Sequence, residues 1–252
     1  LNTANNGSTG SVAIIDALDD TTFGTVGSLA GGSTPSVLGN DEVGASPAAS
    51  TGATPNVVLT ANGAQGFTGT GTATPLTLNA DGTITVPAGA TPGSYTVPYR
   101  ICSTATPAAC DNATATVVVG AEPDMRSTVA CTPNPAAVGA TVSCAVTCSN
   151  IGSGTATAAT CQVTNPATGP GALPPGAVVN CPNASVGVNL AAGGALGCTV
   201  VFTAQTPGPQ TVSSTTAASN EPATALANNP GSDTVTIVAP PVTPNTPDMV
   251  ST

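Results

Sequence analysis

The 252-residue chain has no histidine and no tryptophan, and its only basic residues are Arg100 and Arg126; charged residues make up 6% of it and aromatics 2%. Each absence removes a class of chemistry. Without histidine there is no imidazole base for a serine or cysteine nucleophile and no Cys2His2 zinc site. Without lysine there is neither a Schiff-base amine nor a Lys–Asn isopeptide cross-link. Two cations against 12 acidic residues leave a net charge of −10, which excludes nucleic acid as a partner and disfavours anionic membrane surfaces. No run of about 18 apolar residues is present to span a bilayer. Leu, Glu, Lys and Arg are too scarce at helical spacing to build long amphipathic helices.

What remains is Ala, Thr, Gly, Ser, Val and Pro, with 29 glycines and 24 prolines. β-Branched residues fall in short alternating runs between turn signals, the pattern of β-sandwiches. Such runs occur at Val57–Leu59, Leu76–Leu78, Thr83–Val86, Tyr95–Ile101 and Ala115–Val119. Asn79-Ala80-Asp81-Gly82 is the clearest turn between two of them. Tyr95, Val97, Tyr99 and Ile101 share a face by the two-residue period and are expected in the core, with Pro98 marking an edge strand or a bulge. Later, Val142, Cys144, Val146 and Cys148 line one strand face, and Leu196, Cys198, Val200 and Phe202 another.

The length suits two domains of about 100–150 residues, placed at 16–120 and 121–239. The hexapeptide Pro123-Asp124-Met125-Arg126-Ser127-Thr128 returns with one change as Pro247-Asp248-Met249-Val250-Ser251-Thr252. This is the signature of a tandem array. Residues 240–252 accordingly read as a Pro-rich linker and the start of a further repeat. Residues 1–15 read as a terminal strand: the end of a preceding repeat, a strand donated to a neighbour, or a strand folded onto its own domain.

Eight cysteines without histidine point to disulfides and an oxidising compartment. Cys102 and Cys110 bracket a short turn and are expected to close it. The other six leave several pairings open. Antiparallel geometry favours Cys131 with Cys144, Cys148 with Cys198, and Cys161 with Cys181.

Residues 121–239 carry Pro-Asp-Met, then Cys131-Thr132-Pro133-Asn134-Pro135, Val146-Thr147-Cys148-Ser149-Asn150-Ile151-Gly152 and Leu190-Ala191-Ala192-Gly193-Gly194. They resemble the immunoglobulin-like repeat catalogued as domain of unknown function eleven. Residues 16–120, with Ser36-Val37-Leu38-Gly39-Asn40-Asp41, Leu78-Asn79-Ala80-Asp81-Gly82-Thr83 and Pro92-Gly93-Ser94-Tyr95-Thr96-Val97-Pro98-Tyr99, resemble bacterial cadherin-like repeats. The resemblance implies tandem sandwiches on a bacterial surface protein and brings no catalytic motif with it.

The expected fold is therefore all-β: tandem immunoglobulin-like β-sandwiches stapled by disulfides. The expected function is a structural, non-enzymatic subunit of a bacterial extracellular fibre, stalk or sheath, secreted or at the cell surface. Its partners would be copies of itself, joined head-to-tail by strand exchange. The alternative is the stalk or ligand-binding segment of an adhesin. No cofactor is expected. Calcium is the one metal to weigh, with Asp16, Asp19, Asp20, Asp41, Glu42, Glu122 and Asp124 as oxygen ligands; polar caps of turns are the competing role for the same residues.

Overall fold

The computed structural model describes residues 14–21, 23–184 and 186–240. Most of residues 1–15, and the linker and partial repeat from 241 onward, lie outside the described residues. The chain forms two compact units, Leu1–Ala121 and Glu122–Thr252. Both are built of β-strands, and four disulfides staple them.

In the first unit the strands are β1 (Ile15–Asp16), β2 (Val26–Gly27), β3 (Gly32–Ser33), β4 (Glu42–Val43), β5 (Ser46–Pro47), β6 (Val57–Ala61), β7 (Gly66–Gly69), β8 (Thr77–Leu78), β9 (Ile84–Val86), β10 (Gly93–Ser103) and β11 (Cys110–Gly120). The long β10–β11 hairpin is its backbone. β2 and β6 extend the hairpin on either side, in the order β2-β11-β10-β6, while β7 joins β10 beyond β6. The small sheets β3-β9-β8 and β1-β4-β5 complete the unit. Two-residue alternation turns Tyr95, Val97, Tyr99 and Ile101 inward, all at most 2% exposed, against Val37, Val57, Ile84 and Val117. The Asn79–Gly82 turn closes with Asn79 N donating to Thr83 O at 2.8 Å, and Gly82 adopts a φ of +86° that disfavours any side chain.

Pro98 corrects the expectation of an edge strand or bulge. β10 is central: β11 pairs with it on one side, and on the other β7 pairs with residues 93–96 and β6 with residues 99–103. Pro98 sits where one neighbour hands over to the next, so its missing N–H interrupts no ladder.

The strands of the second unit are β12 (Met125–Thr132), β13 (Ala136–Ala137), β14 (Thr141–Asn150), β15 (Ala156–Val163), β16 (Val178–Asn180), β17 (Val188–Leu190), β18 (Ala195–Thr203), β19 (Gly208–Ala217) and β20 (Pro230–Val238). They form two facing sheets, β12-β14-β18-β16 and β13-β20-β19-β15-β17. Only the short β13 runs parallel to its partner, β20, because the chain crosses from one sheet to the other through Pro133 and Pro135. This is an immunoglobulin-like sandwich. Val142, Cys144, Val200, Phe202, Val212, Val235 and Ile237 fill it from both faces.

Two disulfides join residues directly opposite each other on antiparallel neighbours. Cys102–Cys110 has its Cα atoms 4.0 Å apart and Cys131–Cys144 has them 3.9 Å apart. Beside the first, Ser103 N donates to Ala109 O, so Cys102 and Cys110 occupy a non-hydrogen-bonded pair, where facing side chains lie closest. The remaining four cysteines pair differently from the expectation of Cys148 with Cys198 and Cys161 with Cys181. Cys198 stands opposite Val146, two residues out of register with Cys148. Cys148 instead points through the sandwich to Cys161 on the facing sheet, with a Cα separation of 5.7 Å. Asn180 pairs with Thr199, which brings Cys181 against Cys198 at 4.4 Å.

Candidate functional site

Most of the acidic side chains of the first unit gather where the leading segment, residues 15–20, runs beside the β10–β11 hairpin. Asp20 forms a parallel bridge to Ala115, its N–H donating to Thr114 O and its carbonyl accepting from Thr116 N. Three carboxylates lace the same segment down. Asp111 accepts from Ala17 N at 3.0 Å, Asp41 from Leu18 N at 2.8 Å, and Asp19 in return accepts from Thr114 N at 2.7 Å. Asp16 faces Glu42 across the β1–β4 pair.

Tyr99 is the centre of this cluster. Its buried hydroxyl lies 3.1 Å from Leu18 O and Asp20 Oδ2, 3.3 Å from Val37 O, and 3.2 and 3.1 Å from the two oxygens of Asp41. The phenol has a single hydrogen to donate, so two buried carboxylates compete for it. Asp41 is 1% exposed and Asp20 8%. Burial first, then the charge of Asp41 and Asp19, pushes the Asp20 carboxyl up from 3.8 to about 6, against the opposing hydrogen bond from Tyr99. Burial also raises Asp41, with Asp111 and Asp16 adding to it, while bonds from Leu18 N and Tyr99 pull the other way. The Tyr99 phenol is pushed above its ordinary value by burial and by the same two carboxylates, so it stays protonated. A proton added to Asp20 or Asp41 turns an oxygen–oxygen repulsion into a hydrogen bond. The cluster thus ties the leading segment to the hairpin around one shared phenol hydrogen.

The seven carboxylates considered for calcium do not form one ligand set. Asp19, Asp20 and Asp41 converge on the β10–β11 hairpin, Asp16 and Glu42 stand on β1 and β4, and Glu122 and Asp124 belong to the second unit. There the Asp124 carboxylate accepts from Asn228 Nδ2 at 2.9 Å, and Gly154 N donates to the carbonyl of Glu122. Among the described residues, no three His, Cys, Asp or Glu side chains come together in a way that could hold a metal ion. Asp41, Asp19 and Asp111 each accept from a backbone N–H distant in sequence, those of Leu18, Thr114 and Ala17.

The second unit has a comparable polar centre in Asn150, which is fully buried. Its Oδ1 accepts from Asp124 N and Gly152 N, each at 3.2 Å, and its Nδ2 donates to Gly154 O at 2.7 Å and Leu190 O at 3.0 Å. Its main chain exchanges bonds with Gly193 and Gly194. The Ser149-Asn150-Ile151-Gly152 and Gly193-Gly194 motifs are therefore two sides of one hydrogen-bonded knot, and a Cβ on Gly152 would lie 2.4 Å from Asp124 N. Glu221 works beside it, accepting from Met125 N at 2.6 Å and Asn229 Nδ2 at 2.8 Å. Sequence reasoning missed Tyr99 as a hub, and it missed Asp111, Asn150 and Glu221. Only Tyr99 carried a usable signal, since a phenol placed in a core needs a partner for its hydroxyl.

Concave surface is lined mostly by groups without titratable chemistry. One cleft is formed by Pro174, Pro175 and residues 205–210, and another, near Ser36, Pro47 and Ser50, holds Asp81 alone of the acids. Neither brings two titratable side chains together.

No family model matches the chain, so the resemblance to domain of unknown function eleven rests on the motifs quoted above, and no curated protein matches it either. Among solved structures, it is similar to the human desmocollin-1 ectodomain, at 9% identity and a TM-score of 0.40, over 90% of this chain and 42% of that one. It is also similar to the protocadherin γB4 extracellular domain, at 12% identity and a TM-score of 0.35, over 90% of this chain and 32% of that one. A Salmonella α-2-macroglobulin reacted with methylamine matches at 20% identity and a TM-score of 0.34, over 67% of this chain and 10% of that one. The chain spans less than half the length of each. No function passes from them to this chain.

Proposed function

We propose that the chain is a structural, non-enzymatic building block of a bacterial extracellular fibre, stalk or sheath, assembled with copies of itself. The observation that carries this reading is the placement of all eight cysteines in four disulfides across two sandwiches, in a chain where the hexapeptide Pro123–Thr128 recurs with one change at 247–252. Disulfides persist outside the reducing cytosol. They also compensate for a core of small side chains, each closed loop contributing about 2–4 kcal/mol. Its reactive inventory supports the same reading: the thiols are bonded, and the buried carboxylates are engaged, Asp41 by Leu18 N and Tyr99 and Asp20 by Tyr99. Head-to-tail joining through residues 1–15 or 247–252 belongs to this proposal, as a donated strand completing a neighbour's sheet edge.

Immunogold labelling of intact cells with an antibody to the second unit tests it. Gold aligned along surface fibres is the expected result. Gold confined to the cell interior, on protein whose cysteines are reduced, overturns it.

A further inference from the structure

We propose that the outward face of the sheet β12-β14-β18-β16 is a docking surface for a second copy of this chain, sheet against sheet. The inference rests on the self-assembly proposed above and names the surface that performs it.

The register places Ala145 at the centre of this face, between Ala130 on β12 and Thr199 on β18, with Asn180 of β16 beyond. One step along, Ser143 stands opposite Val201, and Val201 opposite Val178. All of these side chains are exposed, Val178 by 64% and Val201 by 36%. Arg126 at one corner is the only charged residue on the outward rows of the four strands. In a chain of net charge −10, two copies can bring this face together without opposing their carboxylates. Two acids of this unit lie along the free edge of β12 and off this face, Asp233 accepting from Cys131 N and Glu221 from Met125 N.

The other sheet is not equivalent. Its outward Thr211 and Ser213 are half-covered, Thr211 and Thr234 share a hydroxyl–hydroxyl bond of 2.8 Å, and the Asn165 side chain bonds to Thr211 O and Ser213 N. Size also fits a pair of copies. Strands about 4.8 Å apart, rising about 3.4 Å per residue, make this face about 500 Å². Two such faces bury about 1,000 Å² in total, the lower end of what a specific interface needs. Small Ala, Ser, Thr and Val side chains let the sheets approach to about 10 Å and lose little rotamer freedom on contact. Such a contact uses the same patch on both partners and closes on itself, so it ties chains side by side and leaves growth along a fibre to other surfaces.

The test is sedimentation equilibrium of the full oxidised chain at about 1–100 μM in physiological salt. The expected result is a monomer–dimer equilibrium that Ala145→Glu weakens by at least about tenfold, because the new carboxylate is buried unpaired. Thr199→Lys is expected to act likewise, and Gln162→Glu, on the outward side of the other sheet, is expected to leave the equilibrium unchanged. Unaltered thermal melting shows that each variant is folded, and Thr199→Lys carries the test should Ala145→Glu fail to fold. A dimer indifferent to both substitutions overturns the assignment of this face while leaving self-assembly standing. A chain monomeric throughout this range overturns the docking surface, and imaging of native fibres then decides self-assembly separately.

Discussion

Asn150 holds two donors and two acceptor contacts in a fully buried position, so no other residue of its size serves there. Asn150→Asp removes the donors to Gly154 O and Leu190 O and sets a carboxylate against two carbonyls. It is expected to destabilise the second unit by about 3 kcal/mol or more, and Asn150→Ala somewhat less, both read by urea unfolding. The Tyr99 cluster makes the opposite use of carboxylates. Because the folded-state pKa of Asp20 is raised to about 6, the folded chain binds more protons than the unfolded one between about pH 4 and 6. The stability this group contributes is therefore fully present below pH 4 and is lost as pH rises through 6. Asp20→Asn, whose amide is a permanent donor, is expected to flatten the pH dependence of the first unit's melting between pH 4 and 7 and to raise its melting temperature at pH 7.5. An unchanged pH profile in this variant contradicts the assignment.

At the scale of elements, what could be read in the sequence was what is local. The alternation of Val142, Cys144, Val146 and Cys148 forced one face of β14 inward, and a short return through Pro133–Gly139 was enough to set Cys131 against Cys144. The partner of Cys148 was not legible, because it depends on which strands face each other across the sandwich and in what register. Val146 opposite Cys198 excludes one pairing, and Asn180 opposite Thr199 creates another. The convergence of Asp20, Asp41 and Asp111 on one hairpin was hidden for the same reason, since long loops bring them together. The inter-sheet bond has a measurable consequence. Cys148 and Cys161 are both fully buried, whereas Cys102, Cys110, Cys131 and Cys181 are partly exposed. Under stepwise reduction with alkylation mapped by mass spectrometry, Cys148–Cys161 is expected to be the last pair labelled, together with global unfolding. Labelling it before Cys102–Cys110 contradicts the packing described.

For the whole molecule, low charge, bonded thiols and engaged carboxylates support the structural role proposed above. Its sandwiches reach stability through covalent staples and buried polar knots, because Ala, Thr and Val bury little area per residue. An uncharged sheet face leaves room for neighbours. The most direct measurement is electron microscopy of untreated surface material containing the chain. The account predicts an ordered filament with a regular repeat, in which copies of this chain contact one another. Isolated flexible strings of beads, with no contact between copies, would contradict it and assign the chain to an adhesin stalk.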